Sequence, residues 1–176
     1  MNFSRRHATR WAATILMAAT LFLWACEYEA PVSSEHTIPI DPKVLGLWQY
    51  IPDKGRKPIP DEQMMILKYS ATEYLIHSPI AKYGIYYRAY PIRIGNLSCV
   101  QLEVIGDEDG IPRKDDKLLY HVASYRLVDQ ELQVAVLNTE LVDKTLKTSE
   151  AVNSIMLANQ RDPALFKTVG RFKRAR

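Results

Sequence analysis

The side chains that could do acid–base, nucleophilic or metal chemistry are few and scattered. His36, His77 and His121 show no His-x-His, Glu-x-x-His or Cys/His spacing, and a zinc site needs three or four ligands. The chain has no Gly-x-Ser-x-Gly elbow and no glycine-rich phosphate loop. Ser98 and Cys99 lie within a predicted strand rather than on a strained turn. The sequence therefore predicts a protein that is not an enzyme and has neither metal site nor cofactor.

An acidic cluster is the next candidate for a binding site. Five acidic residues lie between Asp107 and Asp116, and calcium takes six to eight oxygen ligands. The spacing differs from that of an EF-hand, and Arg113, Lys114 and Lys117 dilute the negative charge. A solvated hairpin loop is the expected structure.

Four tyrosines crowd one predicted strand. Tyr83 and Tyr87 fall on one face of this strand, and Tyr86 and Tyr90 fall on the other. A tyrosine offers an apolar body with a polar tip, so this row could form a wall for a lipid, a glycan or a peptide. Ordinary cross-strand packing is the alternative, because aromatic residues favour strands in any case. Both interpretations remain open from the sequence.

The N-terminus has the pattern of an export signal. Arg5, Arg6 and Arg10 precede an apolar run that continues to Ala25, and Cys26 follows it. Leu23 stands three residues before Cys26, and this arrangement resembles the lipobox of bacterial lipoproteins. The resemblance implies that Cys26 is the first mature residue and carries lipid on its thiol and amino group.

The apolar run is about 16 residues long, which is shorter than the roughly 20 needed to span a bilayer. An uncleaved anchor and ordinary secretion are the alternatives to lipoprotein processing. We expect residues 1–25 to be the signal peptide. Since Glu27 follows Cys26, and not the Asp that favours inner-membrane retention in Gram-negative sorting, the outer membrane is the expected location, facing the periplasm.

Removal of the signal changes the charge balance. The whole chain has 23 basic and 20 acidic residues, and residues 1–25 hold three of the arginines and no acid. The mature chain therefore has a formal net charge of zero, and composition gives no reason to expect nucleic-acid binding. Cys99 is left without a partner within the chain. We expect it to be a small strand residue, with an interchain disulfide or a reactive thiol as alternatives.

The segment 26–43 is expected to be a lipidated cysteine followed by an extended tether. It contains Pro31, Pro39 and Pro42 and has no apolar periodicity. Fully extended, it would reach about 55–60 Å, so the following domain could stand well clear of the membrane.

From residue 44 onward the chain reads mostly as strands. Val100, Leu102 and Val104 alternate with Gln101 and Glu103, which indicates an antiparallel sheet with one wet face. The predicted strands are 46–51, 63–69, 72–77, 83–94, 97–105, 118–128, 131–137 and 169–173, with a helix over 149–159. Such a series of about seven or eight strands with one C-terminal helix suits a mainly β, closed barrel.

The start of the first strand resembles the Gly-x-Trp opening of lipocalins and the wider calycin group. Gly46 and Trp48 carry the resemblance, which covers roughly residues 44–173 of a domain spanning 44–176. It implies that Trp48 closes one end of the barrel under a basic side chain, for which Arg171 and Lys173 are the candidates. The chain departs from the group in having no second lipocalin motif and no disulfide. A core indole in any β domain is the alternative for Trp48.

These features together predict a lipid-anchored envelope lipoprotein whose non-catalytic, lipocalin-like barrel binds a small apolar ligand. Its partners would be the membrane, through the lipid on Cys26, and that ligand. The alternative function is a structural or assembly lipoprotein that binds another envelope protein, with Tyr86, Tyr90 and the helix making the contact.

Overall fold

The computed structural model describes residues 28–52, 62–80, 83–113 and 119–175. The predicted signal peptide and the predicted lipidation site Cys26 lie outside the described residues. Within the described residues, no helix is both long enough and apolar enough to cross a membrane.

Eight antiparallel strands form a closed barrel, which confirms the predicted fold class. The strands are β1 (Gly46–Tyr50), β2 (Gln63–Lys68), β3 (Tyr74–Ile80), β4 (Tyr83–Ile94), β5 (Leu97–Asp107), β6 (Tyr120–Val128), β7 (Glu131–Leu137) and β8 (Phe166–Arg174). Each strand pairs with its neighbour in sequence, and β8 pairs with β1 through Trp48 opposite Arg174. Closure leaves no unpaired sheet edge, which would otherwise invite pairing with another chain.

Two tight turns set the register of the hairpins. Gly95, with φ +56°, and Asn96 connect β4 to β5. Asp129 and Gln130 connect β6 to β7, and both have positive φ angles of 48° and 68°. Two consecutive left-handed residues match the twist of the flanking strands in a two-residue hairpin. Both turns lie in the two-residue gaps between the predicted strands 83–94 and 97–105, and 118–128 and 131–137.

The barrel wall separates two hydrophobic cores. The inner core lies inside the barrel and is built around Trp48, Tyr74 and Leu132. The outer core lies against the other face of β4, β5 and β6, where Ile92, Cys99 and Val122 are buried. This outer core explains why neighbouring residues of β4 are buried on both faces, although an exposed barrel wall would alternate apolar and polar residues.

Helix α1 (Ser149–Ala158) covers part of the outer core. Val152 and Met156 are buried one turn apart, as the predicted helical spacing requires. The hydroxyl of Thr148 caps the helix by accepting a hydrogen bond from the backbone N–H of Ala151 at 3.2 Å. The hydroxyl of Ser149, the first residue of the predicted helix, donates to the carbonyl of Pro31 in the segment before β1.

The segment before β1 is not a free tether, so that prediction is wrong for the described residues. Residues 28–41, which we call the N-terminal strap, run along the outside of the barrel. The backbones of Tyr28 and Tyr120 exchange hydrogen bonds of 2.8 and 3.2 Å, and Tyr28 is fully buried. Farther along, the backbone N–H of Val32 donates to Oε1 of Gln101 at 2.7 Å.

The strap also corrects the prediction of a wet face on β5. Gln101 was expected to face solvent, yet its exposed fraction is 0 %. Its amide accepts from the strap and donates to the carbonyl of His121 at 2.8 Å. A polar side chain is stable at this buried position because both ends of its amide are paired.

Candidate functional site

The interior of the barrel contains an apolar cavity. It measures about 110 Å³, and its lining includes Met64, Ile66, Ile76, Val100, Leu102 and Leu132. These side chains point inward because they occupy alternate positions of paired strands. A buried water needs about 10–15 Å³ of such space, so the cavity has room for several waters or a small apolar group.

Trp48 and Val44, which ends a short 3₁₀ turn (Pro42–Val44), pack in the inner core at the end of the barrel where β1 begins. Val44 and Trp48 are almost completely buried. Indole Nε1 donates to the carbonyl of Val44 at 2.8 Å. We call this the closed end of the barrel.

The basic residue over Trp48 is Arg174, and the prediction of Arg171 or Lys173 is wrong. The guanidinium carbon of Arg174 lies 4.7 Å from the centre of the indole ring. Arg171 lies instead beside Glu131, with 3.7 Å between Nη1 and Oε2. Alternation along β8 places residues 171 and 173 on the opposite face from residue 174.

The backbone conformation and the close contact with Arg174 both require a glycine at position 46. Its φ angle is +127°, a conformation that side-chain-bearing residues rarely adopt. A Cβ atom at this position would also lie 2.7 Å from Nη1 of Arg174. The glycine therefore lets the arginine cross the start of β1 and reach the indole.

The structure does not bring the four tyrosines together. Tyr87 lines the cavity, whereas Tyr86 lies on the outer face and is half-exposed, with its ring 4.7 Å from that of His77. Tyr90 is on the outer face as predicted, but the strap buries it to 2 % exposure. The Tyr83 side chain lies outside the described residues. Tyr87 alone of the described tyrosines of β4 fits the predicted ligand wall.

His121 is a cavity residue that the sequence analysis did not assign to a site. It lies on β6 opposite Leu102, and its ring meets that of Tyr87 edge-on with the centres 5.8 Å apart. Nδ1 is buried and has no hydrogen-bond partner among the described residues. Burial lowers the pKa of His121 to about 4, so the imidazole is neutral at physiological pH. The sequence feature that could have pointed to His121 is its place on the inward-facing side of β6, where its neighbours in the cavity wall are mainly apolar.

Two tyrosine hydroxyls lie in the wall of the same cavity. The backbone N–H of Asp41 donates to the hydroxyl of Tyr74 at 2.7 Å. Burial raises the pKa of both Tyr74 and Tyr125 above the usual tyrosine value. These hydroxyls are therefore neutral, and no lining residue in the described part of the chain is Asp, Glu, Lys or Arg.

A buried carboxylate outside the barrel ties the strap to the wall. Glu73 lies in the β2–β3 turn and interacts with Nδ1 of His36 and, at 2.6 Å, with Nη2 of Arg88. Burial would raise the pKa of Glu73, but the hydrogen bonds from Arg88 and His36 outweigh it and lower this pKa. The ring of His36 also stacks on Tyr90 with 3.6 Å between centres. These contacts hold the strap against β3 and β4.

A second cleft, of about 340 Å³, lies where residues 38–41 of the strap meet the wall near Arg93 and Ser98. Its lining mixes polar and apolar atoms, whereas that of the barrel cavity is almost wholly apolar. The cavity is also lined by His121, whose buried Nδ1 has no partner in the described part of the chain. We therefore take the cavity as the candidate site.

The remaining candidates from the sequence are Cys99 and the acidic loop. Burial raises the pKa of the Cys99 thiol to about 12, which keeps it protonated and a poor nucleophile. In the acidic loop, Oδ1 of Asp107 accepts hydrogen bonds from the backbone N–H groups of Asp109 and Gly110 at 2.8 and 3.1 Å. Among the described residues, no three His, Cys, Asp or Glu side chains are grouped as metal ligands would be.

The fold and its cavity define the class of this chain as a closed eight-stranded antiparallel barrel with an apolar interior space. Comparison with known proteins finds no match among protein families, curated proteins or solved structures.

Proposed function

We propose that this chain is a lipid-anchored envelope lipoprotein whose barrel binds a small, mainly apolar ligand. The cavity inside the barrel is the observation that carries the proposal. An interior without charged side chains in its described lining favours an apolar molecule, because a charged one would lose its hydration without gaining a partner. The closed end under Trp48 supports the resemblance to lipocalins.

Anchoring through Cys26 is the second part of the proposal, and the strap determines how far from the membrane the barrel would then lie. Only Glu27 separates Cys26 from Tyr28, which is fixed to the start of β6. Two residues span about 7 Å. A lipid on Cys26 would therefore hold the barrel close to the membrane, with the end opposite Trp48 nearest to it, instead of at the end of a long tether.

The ligand-binding part can be tested by photo-crosslinking in cells that express the full chain. An alkyl probe with a diazirine group is added, irradiated and mapped by peptide mass spectrometry. We expect labelling of inward residues such as Met64, Val100 and Leu132. Labelling confined to outward-facing residues, or none on the barrel, would contradict the proposal.

Two matched variants of the β6–β7 hairpin sharpen this test. Ala123 lines the cavity, whereas Ala135 belongs to the alternate set of β7 positions and does not line it. Ala123→Phe fills the space and should abolish the inward labelling, at a stability cost of about 1–3 kcal/mol. Ala135→Phe adds the same ring and should leave the labelling intact.

An assembly lipoprotein that binds another envelope protein is the second candidate function. Met65, His77 and Tyr86 are paired across β2, β3 and β4, and Met65 and Tyr86 are exposed beside the exposed Leu67. Such an exposed apolar row is typical of protein contacts. Tyr90 no longer belongs to this surface because the strap covers it. Crosslinking through a photoreactive residue at position 86 would trap a specific protein if this function is correct.

A further inference from the structure

Nδ1 of His121 is the feature of the cavity that apolar ligand binding by itself does not explain. The residue is 7 % exposed and lines the cavity, and Nδ1 has no hydrogen-bond partner among the described residues. A buried polar atom of this kind is costly to leave unpaired. An unpaired nitrogen beside an apolar cavity therefore points to a polar group on whatever fills that cavity.

The position of the imidazole is set by a hydrogen bond to its backbone and by one ring contact. The backbone carbonyl of His121 accepts a hydrogen bond from Nε2 of Gln101 at 2.8 Å, and Gln101 in turn binds the strap through Val32. The edge-on contact with Tyr87 supports the ring itself. A ring fixed in this way keeps a defined place in the cavity wall.

The surroundings of His121 select an uncharged polar group. No Lys or Arg is present among the described lining residues, so a carboxylate in the cavity would be buried without a cation. A neutral imidazole has one donor and one acceptor nitrogen. A hydroxyl both donates and accepts, so it pairs with Nδ1 in either tautomer.

Resting on the ligand-binding function proposed above, we propose that the barrel takes an uncharged amphiphile. Its alkyl chain lies against the apolar wall of Met64, Ile66 and Leu132, and its hydroxyl hydrogen-bonds Nδ1 of His121. The preferred ligand class is therefore a small alkyl alcohol of medium chain length, not a hydrocarbon and not an ionised fatty acid.

Three probes of equal chain length test this inference on the full chain in detergent micelles: 1-octanol, octane and octanoate, each measured against empty micelles. We expect the wild-type affinity to follow the order octanol, octane, octanoate. His121→Phe keeps a ring of similar shape, so it should weaken octanol by about two- to ten-fold, the value of one hydrogen bond, and affect octane less than octanol. Tightest binding of octanoate, or equal losses for octanol and octane, would overturn the inference.

A spectroscopic measurement on the wild-type chain tests the same hydrogen bond without depending on the folding of a variant. With ¹⁵N-labelled imidazoles, octanol should shift the Nδ1 resonance of His121, while octane should not. Identical spectra with both probes would contradict the hydrogen bond, although both probes bind. If none of the three probes binds, the proposed ligand-binding function itself fails, and this inference falls with it.

Discussion

The guanidinium of Arg174 lies 4.7 Å from the indole centre of Trp48, and it donates to two backbone carbonyls that precede β1. These carbonyls belong to Lys43 and Leu45, each 2.8 Å from a guanidinium nitrogen. One side chain from the last strand thereby joins Trp48 of the first strand to the short turn before that strand.

Arg174→Met should destabilise the barrel by about 1–2 kcal/mol, because it removes the cation–π contact and two hydrogen bonds to the backbone. Urea unfolding followed by circular dichroism measures the change. Arg171→Met is the matched control on the opposite face of β8 and should change the free energy of unfolding by less than about 0.5 kcal/mol. Equal effects of the two variants would contradict the role assigned to Arg174.

Gln101→Leu should free the strap from the barrel. The substitution leaves the N–H of Val32 and the carbonyl of His121 without their partner, at a cost of about 2–3 kcal/mol. Hydrogen exchange should accelerate in the amides of residues 28–36 before it does so in the strands. Gln133→Leu on β7 is the control, and we expect strap exchange as slow as in the wild type. Unchanged exchange in Gln101→Leu would show that the strap does not depend on this hydrogen bond.

The stability of the barrel should fall as the pH decreases from about 6.5 towards 4. The pKa of His121 is lowered to about 4 in the folded chain from 6.5, so over this interval the unfolded chain binds a proton that the folded chain does not. By linkage, the free energy of unfolding decreases by up to about 3 kcal/mol. Urea unfolding at four pH values should show this loss in the wild type. In His121→Phe the free energy of unfolding should change much less over this pH interval. The same pH dependence in both proteins would refute the assignment to His121.

Cys26→Ala should abolish incorporation of a fatty-acid probe and release or mislocalise the protein. The matched control is Cys99→Ala, since Cys99 is buried in the barrel wall and should have no part in lipidation. In-gel fluorescence of a clickable fatty acid and membrane fractionation provide the measurements. Unchanged labelling of Cys26→Ala would overturn the lipoprotein interpretation.

The strap predicts which end of the barrel faces the bilayer. Ile111 is 86 % exposed just beyond the end of β5, on the side where Tyr28 pairs with β6, whereas Tyr69 is 63 % exposed beside the closed end. A fluorophore on Ile111→Cys should be quenched by spin-labelled lipid headgroups more strongly than one on Tyr69→Cys. Equal quenching would indicate a long flexible tether after all. Inserting ten Gly/Ser residues after Glu27 should reduce the difference.

The barrel and its turns were accessible from the sequence because they follow from local patterns. Alternation with period two along β5 and β7 assigns inward residues such as Val100 and Leu132. The Gly46 and Trp48 pair marks the closed end, since only a glycine there permits the close approach of a side chain. The location of the basic partner was missed by one position on the strand, because the register between β8 and β1 depends on closure of the whole barrel.

What the sequence by itself determined is the set of elements: a strand series, one amphipathic helix and the inward face of most strands. These depend on interactions between near neighbours. The tertiary structure alone showed that the strap covers Gln101 and Tyr90 and that Nδ1 of His121 has no hydrogen-bond partner among the described residues. Each of these facts depends on contacts between distant residues, and burial of a polar side chain has meaning only when its partners in space are known.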